Sequence, residues 1–261
     1  MERGEGSGLD TSPIDRTFRI LGAFRADDLG VSFAELARRA ALPRSTAWRI
    51  LQRLIEHGYV EEHGKLLWLG LGVFELGELA GRPRSLRRLA VPSLNELRWQ
   101  VRQTVNLAVL DRGEAVYLEI LHHRDTPPLP SRVGGRVPAH ATAVGKSLLA
   151  FMPPTMRDRL LAQPLAVLGP RTITDPSLLL QSLEEIRASR VAYEFEESAP
   201  GVCCVACPVV IEEGRAVAAI SAAGRIGHFD PTATEGAVRQ VAVDLARALA
   251  RSGAVGAFSG Q

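Results

Sequence analysis

A chain of 261 residues, 46% apolar and with a net charge of only +2, has room for two folded domains. That composition excludes both a disordered polymer and a uniformly polycationic nucleic-acid binder. The polar opening MERGEGSGLD leads into no apolar segment, and no apolar run approaches the ~20 residues that span a bilayer, so no secretory leader or membrane anchor is expected. Three cysteines clustered at 203, 204 and 207 make no disulfide framework, which points to a soluble protein of a reducing compartment, the cytoplasm.

Residues 1–9 read as a disordered tail. In IDRTFRILGAFRADD, Ile14, Phe18, Leu21 and Phe24 share one helical face, with Asp27, Asp28 and Gly30 ending the segment. SFAELARRAA follows, with Ser32 and Glu35 at capping-box spacing and Phe33, Leu36, Ala37 and Ala40 as its stripe. Pro43 is suited to opening the next helix, where Ala47, Ile50, Leu51, Leu54 and Ile55 repeat at helical intervals. GYVEEHGKLLWLG reads as a short hairpin turning at His63–Gly64. Three short helices and a hairpin predict a winged helix-turn-helix over 10–71.

The segment GVFELGELAGRPRSLRRLAVPSLNELRWQVRQ is mostly helical, with breaks expected near Gly81–Pro83 and Pro92. It is read as a linker helix over 72–90, then the first helix of a second domain over 91–253, with a tail at 254–261. TVNLAVLD, AVYLEILHH, VAYEFEES, VCCVACPVVI and AVAAISAAG have strand character. Helices are expected between and after them at 141–152, 155–163, 177–189 and about 232–251. Hairpin-length gaps at 111–114 and 212–215 favour an antiparallel sheet. The fold class is therefore α+β.

Between Ser32 and Val60 stand five arginines (38, 39, 44, 49 and 53) and two glutamates (35 and 56), a local excess of three positive charges. The second helix of a helix-turn-helix lies in the major groove and presents its N-terminal residues to base edges. Arg44, Ser45, Thr46 and Arg49 occupy that end, away from the apolar stripe. Arg pairs guanine through two hydrogen bonds, Ser and Thr reach phosphate or base edges, and the helix N-terminus suits a phosphate. Lys65, at the hairpin tip, is placed to meet the DNA backbone. An amphipathic surface helix with incidental arginines would share the charges. It would not share the preceding capped helix, the short ALP turn and the following hairpin.

Through LPRSTAWRILQRLIEHGYV and LGLGVFELG in one half, and GGRVPAHATAVGKSLLAF and EFEESAPGVCCVACPVV…AVAAISAAG in the other, the chain resembles the IclR-type transcriptional regulators from Ile14 to Ser252. The resemblance implies a winged helix joined by a linker helix to a GAF-like effector-binding domain. It also implies dimers that pair into tetramers, palindromic double-stranded DNA operators, and a small organic-acid effector. Carried over by position, the effector-binding residues are Ala143 and Val144 at a helix start, Glu194, Cys204, Ser221 and Ala223, with Val202 and Ala222 lining the pocket. Two departures stand out. Glu194 replaces the shorter Asp of the family pattern, and Ala223 lacks a hydroxyl found there. Both point to an effector other than the smallest oxo-acids.

Other motifs carry less. AVGKS ends like a phosphate-binding loop, but His140 stands where the loop's first Gly belongs, so no nucleotide cofactor is expected. Lys146 then reads as a helix residue reaching solvent or a nearby carboxylate. Cys204 and Cys207 have C-x-x-C spacing. Residues three apart on a strand face opposite ways, however, which argues against a shared metal. His122 and His123 diverge for the same reason. The alternative to a regulator is an enzyme acting on a small organic acid through the C-terminal domain. Its candidate acids are Glu194, Glu196 and Glu197, but no nucleophile elbow and no His–acid pair accompany them, and glutamates on a strand edge are usually solvated.

Overall fold

The computed structural model describes residues 12–124, 126, 129, 131–211 and 214–252. The tails expected at 1–9 and 254–261, and Glu212 and Glu213 of the second expected hairpin gap, lie outside these residues. The chain divides into two compact units, Met1–Gly81 and Arg82–Gln261.

In the first unit, Ser12 caps helix α1 (Pro13–Gly22) by accepting the Asp15 N–H at 3.1 Å. The helix buries Ile20, with Ala23 just beyond it, while Ile14 and Phe18 are each 66% exposed. The expected stripe is therefore only half right. The helix stops at Gly22, so Phe24 lies past its end and the inward face is set around Ile20. Strand β1 (Val31–Ser32) leads into α2 (Phe33–Arg39), whose first turn is capped by Ser32. The Glu35 carboxylate turns to Arg38 and Arg39, leaving the capping box one-sided. Helix α3 (Arg44–Glu56) begins directly after Pro43 and buries Ala47, Leu51 and Leu54 against Leu36, Ala37 and Val60. Strands β2 (Val60–His63) and β3 (Leu66–Leu69) pair His63 with Leu66, so the turn is Gly64–Lys65, one residue later than expected. Gly64 takes a φ of +67°, which a side chain would resist. The small sheet runs β1-β3-β2. Helix α4 (Leu71–Glu78) buries none of its residues.

The second unit opens with α5 (Gly81–Val101), which is continuous through Pro92. A break was expected there because Pro lacks an N–H. Pro92 and Arg88, whose carbonyl loses its partner, both lie on the exposed side, where water can satisfy that carbonyl. The opposite side buries Leu86, Ala90, Leu94 and Leu97. Residues 82–90, read from sequence as linker, thus begin a core helix of this unit.

Six strands follow: β4 (Thr104–Asp111), β5 (Glu114–Leu121), β6 (Arg136–Pro138), β7 (Ala192–Phe195), β8 (Val202–Val210) and β9 (Ala216–Arg225). They form one antiparallel sheet ordered β6-β5-β4-β9-β8-β7. The β4–β5 turn uses Arg112 and Gly113 at φ 51° and 81°, the left-handed pair that two-residue hairpins favour. One sheet face packs on α5 and α9 (Pro231–Arg251) through Val205, Ile220 and Leu245. The other packs on α6 (Ala143–Leu149) and α8 (Pro176–Ser189) through Ala206, Ala219 and Leu183. Strands β8 and β9 are covered on both faces, which explains their nearly unbroken apolar sequence. Helix α7 (Pro154–Leu161) buries no residue fully but packs Leu160 and Leu161 against the core on the α6 side. Among the described residues no helix is long and apolar enough to cross a membrane.

Candidate functional site

Two places bring the expected functional residues together. The first is the exposed end of α3. Ala41, at φ 50°, reverses the chain between α2 and α3, and its carbonyl accepts the Arg19 guanidinium at 2.7 Å. No side chain caps α3, so the N–H groups of its first turn are left for an external acceptor. Arg44, Ser45 and Arg49 are exposed and Thr46 is half-buried beside them. The arginines of this region divide sharply. Arg39 bonds Asp28 at 2.8 Å and Glu35 at 2.8 Å, Arg38 bonds Glu35 at 2.7 Å, and Arg53 bonds Glu56 at 2.5 Å. The Arg38 and Arg39 guanidiniums pull Glu35 down to about 2, so it stays ionised. The positive excess read from the sequence therefore resides on Arg44 and Arg49, which form no ion pair with a described carboxylate.

Arg44 stacks on the Phe33 ring with its guanidinium carbon 5.5 Å from the centroid, and Trp48 meets the same ring edge-on at 5.3 Å. This aromatic support was missed in the sequence, although Phe33 and Trp48 flank the helix start. Trp48 is itself 46% exposed, costly for so large an apolar surface unless something covers it. Lys65 is exposed at the hairpin tip.

The second place is the sheet face beneath α6. Strand register aligns Glu194, Cys204, Ala223 and Thr104 in one row across β7-β8-β9-β4, and Ala206, Ser221 and Asn106 in the next. Cys204, Ala206 and Ala223 belong to the core packed on α6, so both rows face that helix. All seven residues are buried. Above them the segment expected as a single helix is split. A 3-10 turn (Ala139–Ala141) ends at Thr142, which is extended and caps α6 by accepting the Gly145 N–H at 2.9 Å. A Cβ on Gly145 would sit 2.2 Å from the Ala139 carbonyl oxygen, so only glycine lets the 3-10 turn and α6 pack this closely.

The Ala143 N–H donates to Glu194 Oε2 at 3.1 Å. Glu194 Oε1 accepts the Ser198 N–H at 3.0 Å and the Ser198 hydroxyl. Burial pushes the Glu194 carboxyl above its ordinary range, against the pull of the Ser198 and Ala143 bonds. Beside it, burial drives the Cys204 thiol well up as well, so the sulfur is a neutral packing atom. Asn106 Nδ2 donates to Ser221 Oγ at 2.9 Å. Asn106 Oδ1 and Thr104 Oγ1 are buried with no hydrogen-bond partner among the described residues. Each such atom costs about 1–3 kcal/mol if left unsatisfied.

The expected residues Ala143, Glu194, Cys204, Ser221 and Ala223 thus converge. Val144 is buried in the same core but offers no polar contact, and Val202 lies at the far end of β8, on the Cys204 face by alternation. Ala222 belongs to the opposite face, in the core against α9, and cannot line this site. Thr104 and Asn106 were missed. Their signal was present, since two polar residues two apart in TVNLAVLD mark one face of an otherwise apolar strand. Of the two expected roles, Lys146 takes the one facing a carboxylate rather than solvent. It is buried and bonds both oxygens of Glu197 at 2.6 and 2.7 Å. Glu194 and Glu197 are buried too, although β7 is an edge strand. Cys204 and Cys207 fall in the cores on opposite sheet faces, and no group of three or more metal-binding side chains occurs among the described residues.

The profile described as the IclR helix-turn-helix domain matches residues 13–64, and that described as bacterial transcriptional regulator IclR C-terminal matches residues 82–251. The chain belongs to the IclR family. Within it, the regulator XynR of Escherichia coli is 30% identical over 90% of this chain and 96% of its own length. The E. coli transcriptional repressor IclR is 29% identical over 90% of both chains. Among solved structures, an IclR homologue from Microbacterium hydrocarbonoxydans complexed with 4-hydroxybenzoate superposes with a TM-score of 0.84 at 31% identity, covering 91% of this chain and all of that one. These IclR-family relatives are transcriptional regulators rather than enzymes.

Proposed function

We propose that this IclR-family protein is a cytoplasmic, sequence-specific DNA-binding regulator whose operator affinity is set by a small organic acid bound beneath α6. For DNA, the supporting observation is the pair of unpaired, exposed guanidiniums Arg44 and Arg49 at an uncapped helix start, with Ser45, Thr46 and Lys65 beside them as phosphate contacts. A single winged helix covers too little groove for specific affinity, so a homodimer or tetramer on a palindrome is part of the proposal. Leu71, Phe74 and Leu76 of α4 and Leu79 just past its end are all exposed, and a second copy is their proposed cover. Light scattering at micromolar concentration should show an oligomer, and a monomer that still binds operator would refute this.

For the effector, the observation that carries the proposal is the unpartnered pair Asn106 Oδ1 and Thr104 Oγ1, beside Ser221 and Cys204. The Asn106 oxygen accepts only, so the effector must bring a donor as well as an acid group. The Ala143 N–H is held by Glu194, so an incoming carboxylate either displaces Glu194 or binds elsewhere in the two rows. The Microbacterium relative binds an acid that also carries a hydroxyl, which fits the same class. A thermal-shift screen of hydroxy and amino acids should find ligands that stabilise the protein, by about 2.7 kcal/mol at a hundred times Kd. Calorimetry with the best of them should show Ser221→Ala weakening it about tenfold or more, and operator changing its affinity by about 1–3 kcal/mol. Normal binding by Ser221→Ala would rule out the site, and indifference to operator would rule out the coupling.

A further inference from the structure

A cleft of about 560 Å³ opens at the other end of the sheet, within the range of small-molecule sites. None of Thr104, Asn106, Glu194, Cys204 or Ser221 lines it. Its hydrocarbon lining on the α6 side is Leu110 of β4, Leu148 of α6, and Phe151 and Met152 beyond α6, while Leu86 of α5, Val109 of β4 and Val116 of β5 line it from the α5 side. Its rim is cationic. Among the described residues, Arg82, Arg112, Arg136 and Arg215 line it, against the single carboxylate of Asp111. That carboxylate is already engaged, since Arg136 bonds Asp111 at 2.6 Å and Glu114 at 3.2 Å. Arg82 and Arg112 are exposed and have no ion-pair partner among the described residues.

An apolar floor beneath two uncompensated guanidiniums selects a molecule with a hydrocarbon body and one anionic end. We propose that this cleft is a second ligand site, taking a small apolar monocarboxylate whose body lies on Leu110, Phe151 and Met152 and whose carboxylate meets Arg82 and Arg112. Its position gives such a ligand two handles. Arg82, Pro83 and Leu86 are the first turns of α5, the helix that opens the second unit immediately after Gly81. Leu148 belongs to α6, the helix whose first N–H is held by Glu194. One bound molecule therefore touches both the start of the second unit and the helix over the polar rows. The site stands independently of the organic-acid reading of those rows.

The test is calorimetry of the full chain with decanoate, with decan-1-ol and acetate as probes that lack the charge and the hydrocarbon body respectively. Decanoate should saturate the protein at or below about 1 mM, with acetate giving no heat. The double variant Arg82→Gln/Arg112→Asn, which changes exposed side chains and keeps a residue tolerant of positive φ at 112, should weaken decanoate about tenfold and leave decan-1-ol unchanged. Ser221→Ala, with its folding checked by thermal unfolding on the same preparation, should bind decanoate like the wild type. No saturation by decanoate, undiminished binding in the double variant, or loss of binding in Ser221→Ala would each overturn the proposal. The last would place the molecule beneath α6 instead.

Discussion

The exposed end of α3 and the buried rows beneath α6 solve opposite problems with similar side chains. On α3, polar groups are held out in water, and the arginines that matter are those without partners: Arg38, Arg39 and Arg53 are neutralised by neighbours while Arg44 and Arg49 are not. Removing one of these should cost the fold little. Under α6, polar groups are taken out of water and nearly all are tied down, with Glu194 on Ala143 and Ser198, Lys146 on Glu197, and Asn106 on Ser221. Changing one of these alters stability before it alters anything else. The contrast teaches how to design the experiments: in the first unit binding can be tested directly, and in the second every binding measurement needs a stability measurement beside it.

The largest effect expected from this contrast concerns Lys146. Its side chain is 3% exposed and that of Glu197 is 9% exposed, whereas the Arg38–Glu35 pair is 71% and 34% exposed. Lys146→Met strands a buried carboxylate and should lower unfolding free energy by about 3–5 kcal/mol in chemical denaturation. Arg38→Met, at an exposed and solvent-screened pair, should leave it nearly unchanged. Adding Glu197→Leu to Lys146→Met should recover much of the loss, because no charge is then left unpaired. Equal costs at the two pairs would break the comparison.

A smaller effect is expected at Glu194. Its carboxyl is raised above the usual value of 4.5 mainly by burial. A raised acid holds its proton in the folded state after the unfolded chain has released it. Between the unfolded and folded values the unfolded state therefore binds fewer protons, and stability falls as pH rises. The wild type should lose stability as pH climbs from 4.5, until Glu194 is ionised in the folded protein as well. Glu194→Gln should lack that component, as read from denaturation midpoints against pH. Parallel profiles for the two proteins would show that folding does not raise the Glu194 carboxyl.

The smallest effect belongs to Lys65, on the hairpin tip. Lys65→Ala should leave stability within about 0.5 kcal/mol of wild type and reduce the salt dependence of operator binding by about one phosphate contact. An unchanged salt slope would remove the wing from the DNA interface.

Most of the architecture was legible in the sequence because its signals are local. Ser32 before Glu35, the helical spacing of Ala47, Leu51 and Leu54, and the Arg112–Gly113 turn each depend on residues within one or two turns. The errors came where tertiary packing overrides local preference. Pro92 was tolerated because its orphaned carbonyl faces water, and Ile14 and Phe18 stayed exposed because α1 presents Ile20 inward. In the polar rows, positions matched by family pattern converged, whereas Ala222 failed by strand parity alone. Lys146–Glu197 and Glu194–Ala143 join residues 51 apart, and no local pattern encodes that pairing.

The decisive measurement is a gel-shift titration of the Arg44→Ala/Arg49→Ala double variant against the DNA immediately upstream of its own gene, with thermal unfolding measured on the same preparation. Each arginine that reads a base should contribute about 1–3 kcal/mol, so the double variant should lose most of its specific affinity. Because both side chains are exposed and without an ion-pair partner, and only the stacking of Arg44 on Phe33 is lost, its unfolding free energy should stay within about 1 kcal/mol of wild type. Undiminished operator affinity in a normally folded double variant would contradict the assignment of α3 as the DNA-reading helix.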